Sequence, residues 1–314
     1  MIHGSTPKIG LIGECMIELK ANSSNTITQK FAGDTLNTAV YLSRLLNKEQ
    51  HTVHYISAIG ADPFSEGMLK FWQSEGLETN LIRQIDNKQA GLYYIHVDAE
   101  GERSFSYWRS DSAAKYVFSG NEGDKLLEDL LSFDALYLSG ISLAILPEDD
   151  RKKLISALKD CRDKGCKIFF DNNYRSALWP DRQSAREAYA DVLALSDIAL
   201  LTWDDEQMLY DFKEEEHVYK YCINIGVPEV VLKRGADACM IRSPDGAFSV
   251  AATLVDKVVD TTAAGDSFSA AYVAARLSGK SPDSAARSGH ALAAAVIQHE
   301  GGIIAPSAMP KNII

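Results

Sequence analysis

An α/β fold, with a mostly parallel central sheet flanked by helices, is predicted for this 314-residue chain. Three observations predict it. Residues 123–171 alternate helix and strand patterns: Ala135 to Ser139 as strand, Glu148 to Lys164 as helix, Gly165 as its stop, Lys167 to Asp171 as strand. Alternation of this kind calls for parallel strands joined by right-handed crossovers. Near the C-terminus, Val258 and Val259 end an apolar run, and Thr261-Thr262-Ala263-Ala264-Gly265 make a small-residue turn. Phe268, Ala271, Tyr272 and Ala275 then recur at helical spacing up to Gly279. That stretch reads as strand, tight loop, helix. Composition is the third observation: 46% hydrophobic and 24% charged residues suffice for one large α/β domain or two smaller ones.

In chain order, Lys8 to Gly13 reads as a buried strand, followed by Glu14 and Glu18. A carboxylate just past a strand end either binds hydroxyl groups or is solvated. Gly33-Asp34-Thr35-Leu36-Asn37 opens a helix through Leu45 and sets Asp34 and Asn37 on one side of its start. An acceptor beside a donor–acceptor suits a polyol; the plainer alternative is an Asp cap and a surface Asn. His54 to Ile59 reads as a strand, and Asp62-Pro63-Phe64 starts a helix to about Glu75. Leu92 to Val97 and Arg103 to Trp108 are apolar-aromatic strands, joined by a turn at Asp98-Ala99-Glu100-Gly101. Arg109 follows Tyr107 and Trp108, and is either a carboxylate clamp or a surface residue of the hairpin.

Asp171-Asn172-Asn173-Tyr174-Arg175 lies at the C-terminal end of a strand, where open α/β sheets bind ligands. Ile198 to Leu201 is a further strand, with Thr202, Asp204, Asp205 and Glu206 after it. Val230 to Lys233 is another and runs into Arg234-Gly235. A hairpin turns at Ser243 to Gly246, and Pro282 to Gln298 is an Ala-rich helix. The turn before Asp266 opens a helix N-terminus, where backbone N–H groups and the helix dipole favour an anion. Ala263, Ala264 and Gly265 let a phosphate approach closely, and Asp266 is placed to take a proton from an attacking hydroxyl.

A net charge of −11 argues against nucleic-acid or membrane-surface partners. The five cysteines have neither CxxC nor Cys/His metal spacing, which suits reduced thiols and a cytoplasmic setting. No apolar run approaches the roughly 18 residues of a membrane span, and Met1 to Pro7 lacks the pattern of a signal peptide. A Walker A pattern is also missing.

Asp260-Thr261-Thr262-Ala263-Ala264-Gly265-Asp266-Ser267-Phe268 resembles the C-terminal signature of the ribokinase-like (PfkB) carbohydrate kinases. Gly33-Asp34 with Asn37 resembles that family's N-terminal sugar-binding motif, with Ala32 in place of its first Gly. Gly60-Ala61-Asp62-Pro63-Phe64 and Asp171-Asn172-Asn173-Tyr174-Arg175 are similar to two further elements. The resemblance spans nearly the whole chain. It implies a single ribokinase-like domain over 1–314, with a small β-sheet lid from about 14–32 and 89–112.

By the same resemblance, Asp266 is the catalytic base, and Ala263, Ala264 and Gly265 form the anion hole. The family commonly has Gly at the Ala263 position, a departure that matters little if smallness and not positive φ is needed there. Gly33, Asp34, Asn37, Tyr93, Tyr107, Arg109, Arg175 and Asp266 are expected to bind the sugar. Asn173, Arg175, Thr202, Lys233, Gly235, Ala263 and Gly265 are expected to bind ATP. Thr202 and Asp205 stand where the family has Asn and Glu, so Asp205 is expected to meet Mg²⁺ through water. The Ala-rich helix neighbours adenine or simply packs tightly. His299 and Gly301-Gly302 are expected in a nucleotide or monovalent-cation loop. Tyr107-Trp108-Arg109 together with Arg175 resembles the branch acting on a sugar acid, 2-dehydro-3-deoxygluconate. A neutral-sugar kinase is the alternative, with a nucleoside kinase and a non-catalytic sensor behind it. The lid sheet is expected to join copies of the chain into a homo-oligomer.

Overall fold

Parallel strands buried on both faces dominate the computed structural model, which describes residues 6–23, 26–97 and 103–314. The expected turn at Asp98–Gly101 and the first five residues lie outside them. Thirteen strands are found among the described residues. They are β1 (Lys8–Ile12), β2 (Met16–Ser23), β3 (Thr26–Ala32), β4 (Thr52–Ile59), β5 (Ile82–Gln84), β6 (Gly91–Val97), β7 (Arg103–Trp108), β8 (Ala135–Ser139), β9 (Lys167–Asp171), β10 (Ile198–Thr202), β11 (Glu229–Lys233), β12 (Cys239–Ser243) and β13 (Gly246–Val250). Nine form one sheet in the order β13-β12-β11-β10-β9-β8-β1-β4-β5. Its pairs from β11 across to β5 are parallel, and β12 and β13 add an antiparallel edge.

Alternate residues of the central strands feed two cores. Ile9, Leu11, Ala135, Tyr137, Ile198 and Leu200 belong to one, and Ile12, Leu136, Leu138, Ala199 and Leu201 to the other. Helices therefore cover both faces, as near-continuous apolar strands require. On the first face, helix Ala264–Leu277 packs against helices Asp34–Leu45 and Pro282–Val296. Ala285, Ala286 and Ala294 of the Ala-rich helix are buried, so close packing accounts for its small residues.

The second sheet has four strands in the order β3-β2-β6-β7. β6 and β7 form the antiparallel hairpin expected, and β2 pairs with β6 in parallel. Met16, Ala32, Tyr93 and Ile95 make its small core. On the other side Phe31 meets Phe71 of helix Pro63–Ser74, with ring centroids 6.1 Å apart.

One expectation is corrected. Val258 and Val259 do not end a strand, because regular structure stops at Val250 and resumes at Ala264. The segment pairs with no strand: Val259 and Asp260 N–H both donate to the Ile297 carbonyl, and Leu254 and Val258 face solvent. Apolar β-branched residues alone do not make a strand without a neighbour to complete the ladder.

Candidate active site

The C-terminal ends of β1, β9, β10 and β11 converge with two helix N-termini. β1 lies between β4 and β8, the place where strand order reverses and open α/β sheets hold ligands. Gly33 caps helix Asp34–Leu45 without a side-chain bond, so Asp34 is inside the helix and not its cap. A Cβ at Gly33 would lie 2.2 Å from the Glu14 carbonyl oxygen, so only glycine lets this turn pass under the β1–β2 connection.

Asp266 enters from the first turn of helix Ala264–Leu277. Asn37 Nδ2 donates to its Oδ2 at 2.8 Å, and Thr38 Oγ1 donates to its backbone carbonyl at 3.3 Å. Burial raises the Asp266 carboxyl to about 7; the charge of Asp34 pushes the same way and the Asn37 bond opposes both. A carboxyl so placed is divided between its acid and base forms at neutral pH, which suits proton abstraction. Asp34 Oδ2 in turn accepts from Asn173 Nδ2 at 2.7 Å. The two sugar-motif residues are thus shared: Asn37 with Asp266, and Asp34 with the β9 loop.

Ala263, the N-cap, has φ 60°. The position therefore does require a left-handed backbone, and the alanine holds it at a steric cost of about 1–2 kcal/mol. The Ala264 N–H is spent on the Thr261 carbonyl at 3.1 Å, leaving Gly265 and Asp266 in the first turn, where helix N–H groups lack intrahelical partners. Asp260 fixes the loop by accepting from Thr262 N–H at 3.0 Å and Gly301 N–H at 2.9 Å. Gly302 packs beside both motifs: a Cβ there would lie 3.0 Å from Asn37 Nδ2 and 3.2 Å from Ala263 Cβ.

Lys233 does not reach outward. Its ammonium donates to Asp171 Oδ2 at 2.7 Å and Ser269 Oγ at 3.2 Å, beneath the helix that carries Asp266. Asp171 also accepts from Ser269 at 2.8 Å and Tyr137 at 3.2 Å. Gly235 stands apart on the turn after β11, with φ 60° and no side chain close by. Thr202 caps helix Trp203–Tyr210 without a side-chain bond, and its N–H donates to Asn172 Oδ1. Asp205 Oδ2 accepts from Tyr174 N–H at 3.1 Å, and its Oδ1 lies 3.5 Å from Arg175 Nη1. Glu206, raised to about 8 by burial, accepts from Asn172 Nδ2 at 3.0 Å. Arg175 is half-exposed and donates to the Tyr174 carbonyl. His299 is exposed and bonded to its own helix.

In the small sheet, the Tyr93 hydroxyl donates to buried Glu18, and its ring lies 5.8 Å from that of Tyr107. Tyr107 and Trp108 are exposed. Arg109 is not free: its Nη2 donates to buried Glu14. Two open clefts, of about 600 and 910 Å³, flank Trp108 and not Asp266; the charged groups gather at the strand ends instead.

Sequence reasoning missed Asp260, Ser269, Tyr137 and the partnership of Glu14. Ser269 carried a signal, since three residues beyond Asp266 it shares that face of the helix. The other three needed the fold.

A profile of the pfkB family carbohydrate kinases matches residues 6–309. A 2-dehydro-3-deoxygluconokinase of Dickeya dadantii is 49% identical over 98% of this chain and 99% of its own length. One from Escherichia coli K12 is 47% identical over 96% and 99%. Among solved structures, an Escherichia coli putative ribokinase II in complex with ATP and Mg²⁺ superposes with a TM-score of 0.83 at 23% identity, over 94% of each chain. Profile and near-full-length relatives agree, and the chain belongs to the pfkB family of carbohydrate kinases.

Proposed function

We propose that this kinase transfers the γ-phosphoryl group of ATP to the 6-hydroxyl of 2-dehydro-3-deoxy-D-gluconate. The observation that carries the chemistry is Asp266 at a helix N-terminus, raised to about 7 and held by Asn37. Asp266 takes the hydroxyl proton, the oxygen attacks the γ-phosphorus, and ADP leaves. First-turn N–H groups at Gly265 and Asp266 face the charge that builds on the phosphoryl oxygens. Magnesium arrives as MgATP; the Asp205 carboxylate, whose Oδ1 faces Arg175 Nη1 at 3.5 Å, suits contact through a metal-bound water. The family fold neighbour holding ATP and Mg²⁺ supports this donor.

Relatives at 43–49% identity, each a 2-dehydro-3-deoxygluconokinase, support the acceptor. Asp34 and Asn37 bind its hydroxyls. Arg109, together with Arg175, meets its carboxylate. The reading takes 1–314 as one kinase domain whose small sheet lids the sugar and joins two copies through exposed Phe105, Tyr107 and Trp108. It includes a monovalent cation beside the Gly301-Gly302 turn.

A neutral-sugar kinase is favoured by one observation, the engagement of Arg109 by Glu14. An ADP-release assay with MgATP decides between them, comparing 2-dehydro-3-deoxygluconate, fructose and ribose at equal concentration. Preference for the acid, lost in Asp266→Asn and sharply reduced in Arg109→Ala, is the expected result. Preference for fructose or ribose would overturn the substrate and keep the kinase. Replacing potassium by tetramethylammonium in the same assay tests the cation.

A further inference from the structure

Glu14 and Arg109 stand where the main sheet gives way to the small one. Glu14 follows β1, and Arg109 follows β7. They are 95 residues apart in sequence, yet Arg109 Nη2 donates to Glu14 Oε2. Their side chains are only 11% and 1% exposed. Among the described residues Arg109 Nε is buried without a partner, and the buried Ser112 hydroxyl stands beside the Glu14 carboxylate as its other donor. A buried ion pair is costly unless its remaining donors and acceptors are filled. Arg109 Nε is thus a donor left over for an acceptor such as a carboxylate oxygen. Gly91 borders this space: a Cβ there would lie 2.7 Å from Glu14 Oε1 and 3.2 Å from Arg109 Cβ.

We propose that Glu14 is the positioning residue that makes Arg109 selective for a sugar acid. It grips one Nη group and leaves the rest of the guanidinium to the substrate's carboxylate. The inference rests on the reading of Arg109 as carboxylate partner and adds the residue that orients it. An unheld arginine loses much rotamer freedom on binding, whereas one already held loses little. Glu14 offsets part of the charge of Arg109, so the advantage of an acid over a neutral sugar comes from a fixed fork and not from charge alone.

The test measures kcat and KM for 2-dehydro-3-deoxygluconate, and for fructose as substrate or competitive inhibitor. The variants are Glu14→Gln, Glu14→Asp, Arg109→Ala and the Glu14→Gln/Arg109→Ala double, each checked for an intact melting transition. Glu14→Gln is expected to raise KM for the acid about tenfold or more, with a much smaller change in kcat and none in fructose affinity. Glu14→Asp restores part of the loss. The double variant has the KM of Arg109→Ala alone, because Glu14 acts through the arginine. An unchanged KM in Glu14→Gln overturns the proposal, as do equal losses for both sugars or losses that multiply in the double variant. If Arg109→Ala itself leaves KM for the acid unchanged, the reading of Arg109 falls too. If only Glu14→Gln is silent, the role of Glu14 alone is lost.

Discussion

Asn37 donates a 2.8 Å hydrogen bond to Asp266 across 229 residues of chain. It ties the start of helix Asp34–Leu45 to the start of helix Ala264–Leu277, and it holds the Asp266 carboxyl lower than burial would otherwise leave it. Removing the donor in Asn37→Ala lets that carboxyl rise further. The acidic limb of the kcat/KM profile should then move up by roughly half to one pH unit, with kcat/KM near neutrality down about tenfold. A limb that moves to lower pH would contradict this account.

Burial of Asp266 also bears on stability. Its folded pKa, about 7, lies above its ordinary value. Between about pH 4 and pH 7 the folded state therefore holds a proton that the unfolded state has lost, and stability falls as pH rises through that window. Asp266→Asn lacks the penalty. It should be more stable than the parent by roughly 1–4 kcal/mol above pH 7, and the difference should vanish below about pH 4. Urea unfolding at pH 4 and pH 8 measures it; an equal difference at both would refute the assignment.

Ala263 at φ 60° is strained. Ala263→Gly removes the strain but adds freedom to the unfolded chain, so a net gain of about 0.5–1 kcal/mol is expected. A higher urea midpoint with an unchanged slope is the sign to look for. A lower midpoint would mean that the methyl contact near Gly302 and Asn37 outweighs the backbone term.

Lys233 and Asp171 are buried together, at 10% and 6% side-chain exposure. Lys233→Met leaves the carboxylate with only hydroxyl donors, a loss of about 3–5 kcal/mol. Adding Asp171→Asn should recover more than half of it. Recovery is the discriminating result, since a lysine needed only for ATP phosphates would change KM for ATP and leave the melting temperature alone.

Trp108, 61% exposed on β7, sits amid aromatic surface. If the small sheet joins two copies, Trp108→Glu should halve the mass seen in sedimentation velocity. An unchanged mass would remove the lid from the interface.

Most of the regular elements were legible in the sequence. β8, β9 and helix Pro63–Ser74 lie where periodicity and capping residues put them, because those signals are encoded within one or two turns of chain. The short runs holding Asp266, Asp34 and Asn37 stood out for the same reason, and the fold brings the three side chains together. Val258 and Val259 misled because a strand needs a partner, and no local pattern reveals one. Tertiary structure alone decided who holds whom. It turned Lys233 inward to Asp171, gave Arg109 to Glu14, joined Asn37 to Asp266 and set Ala263 in the left-handed region. These partnerships span 62 to 229 residues of sequence, and sheet order fixes which side chains share one buried, weakly screened space.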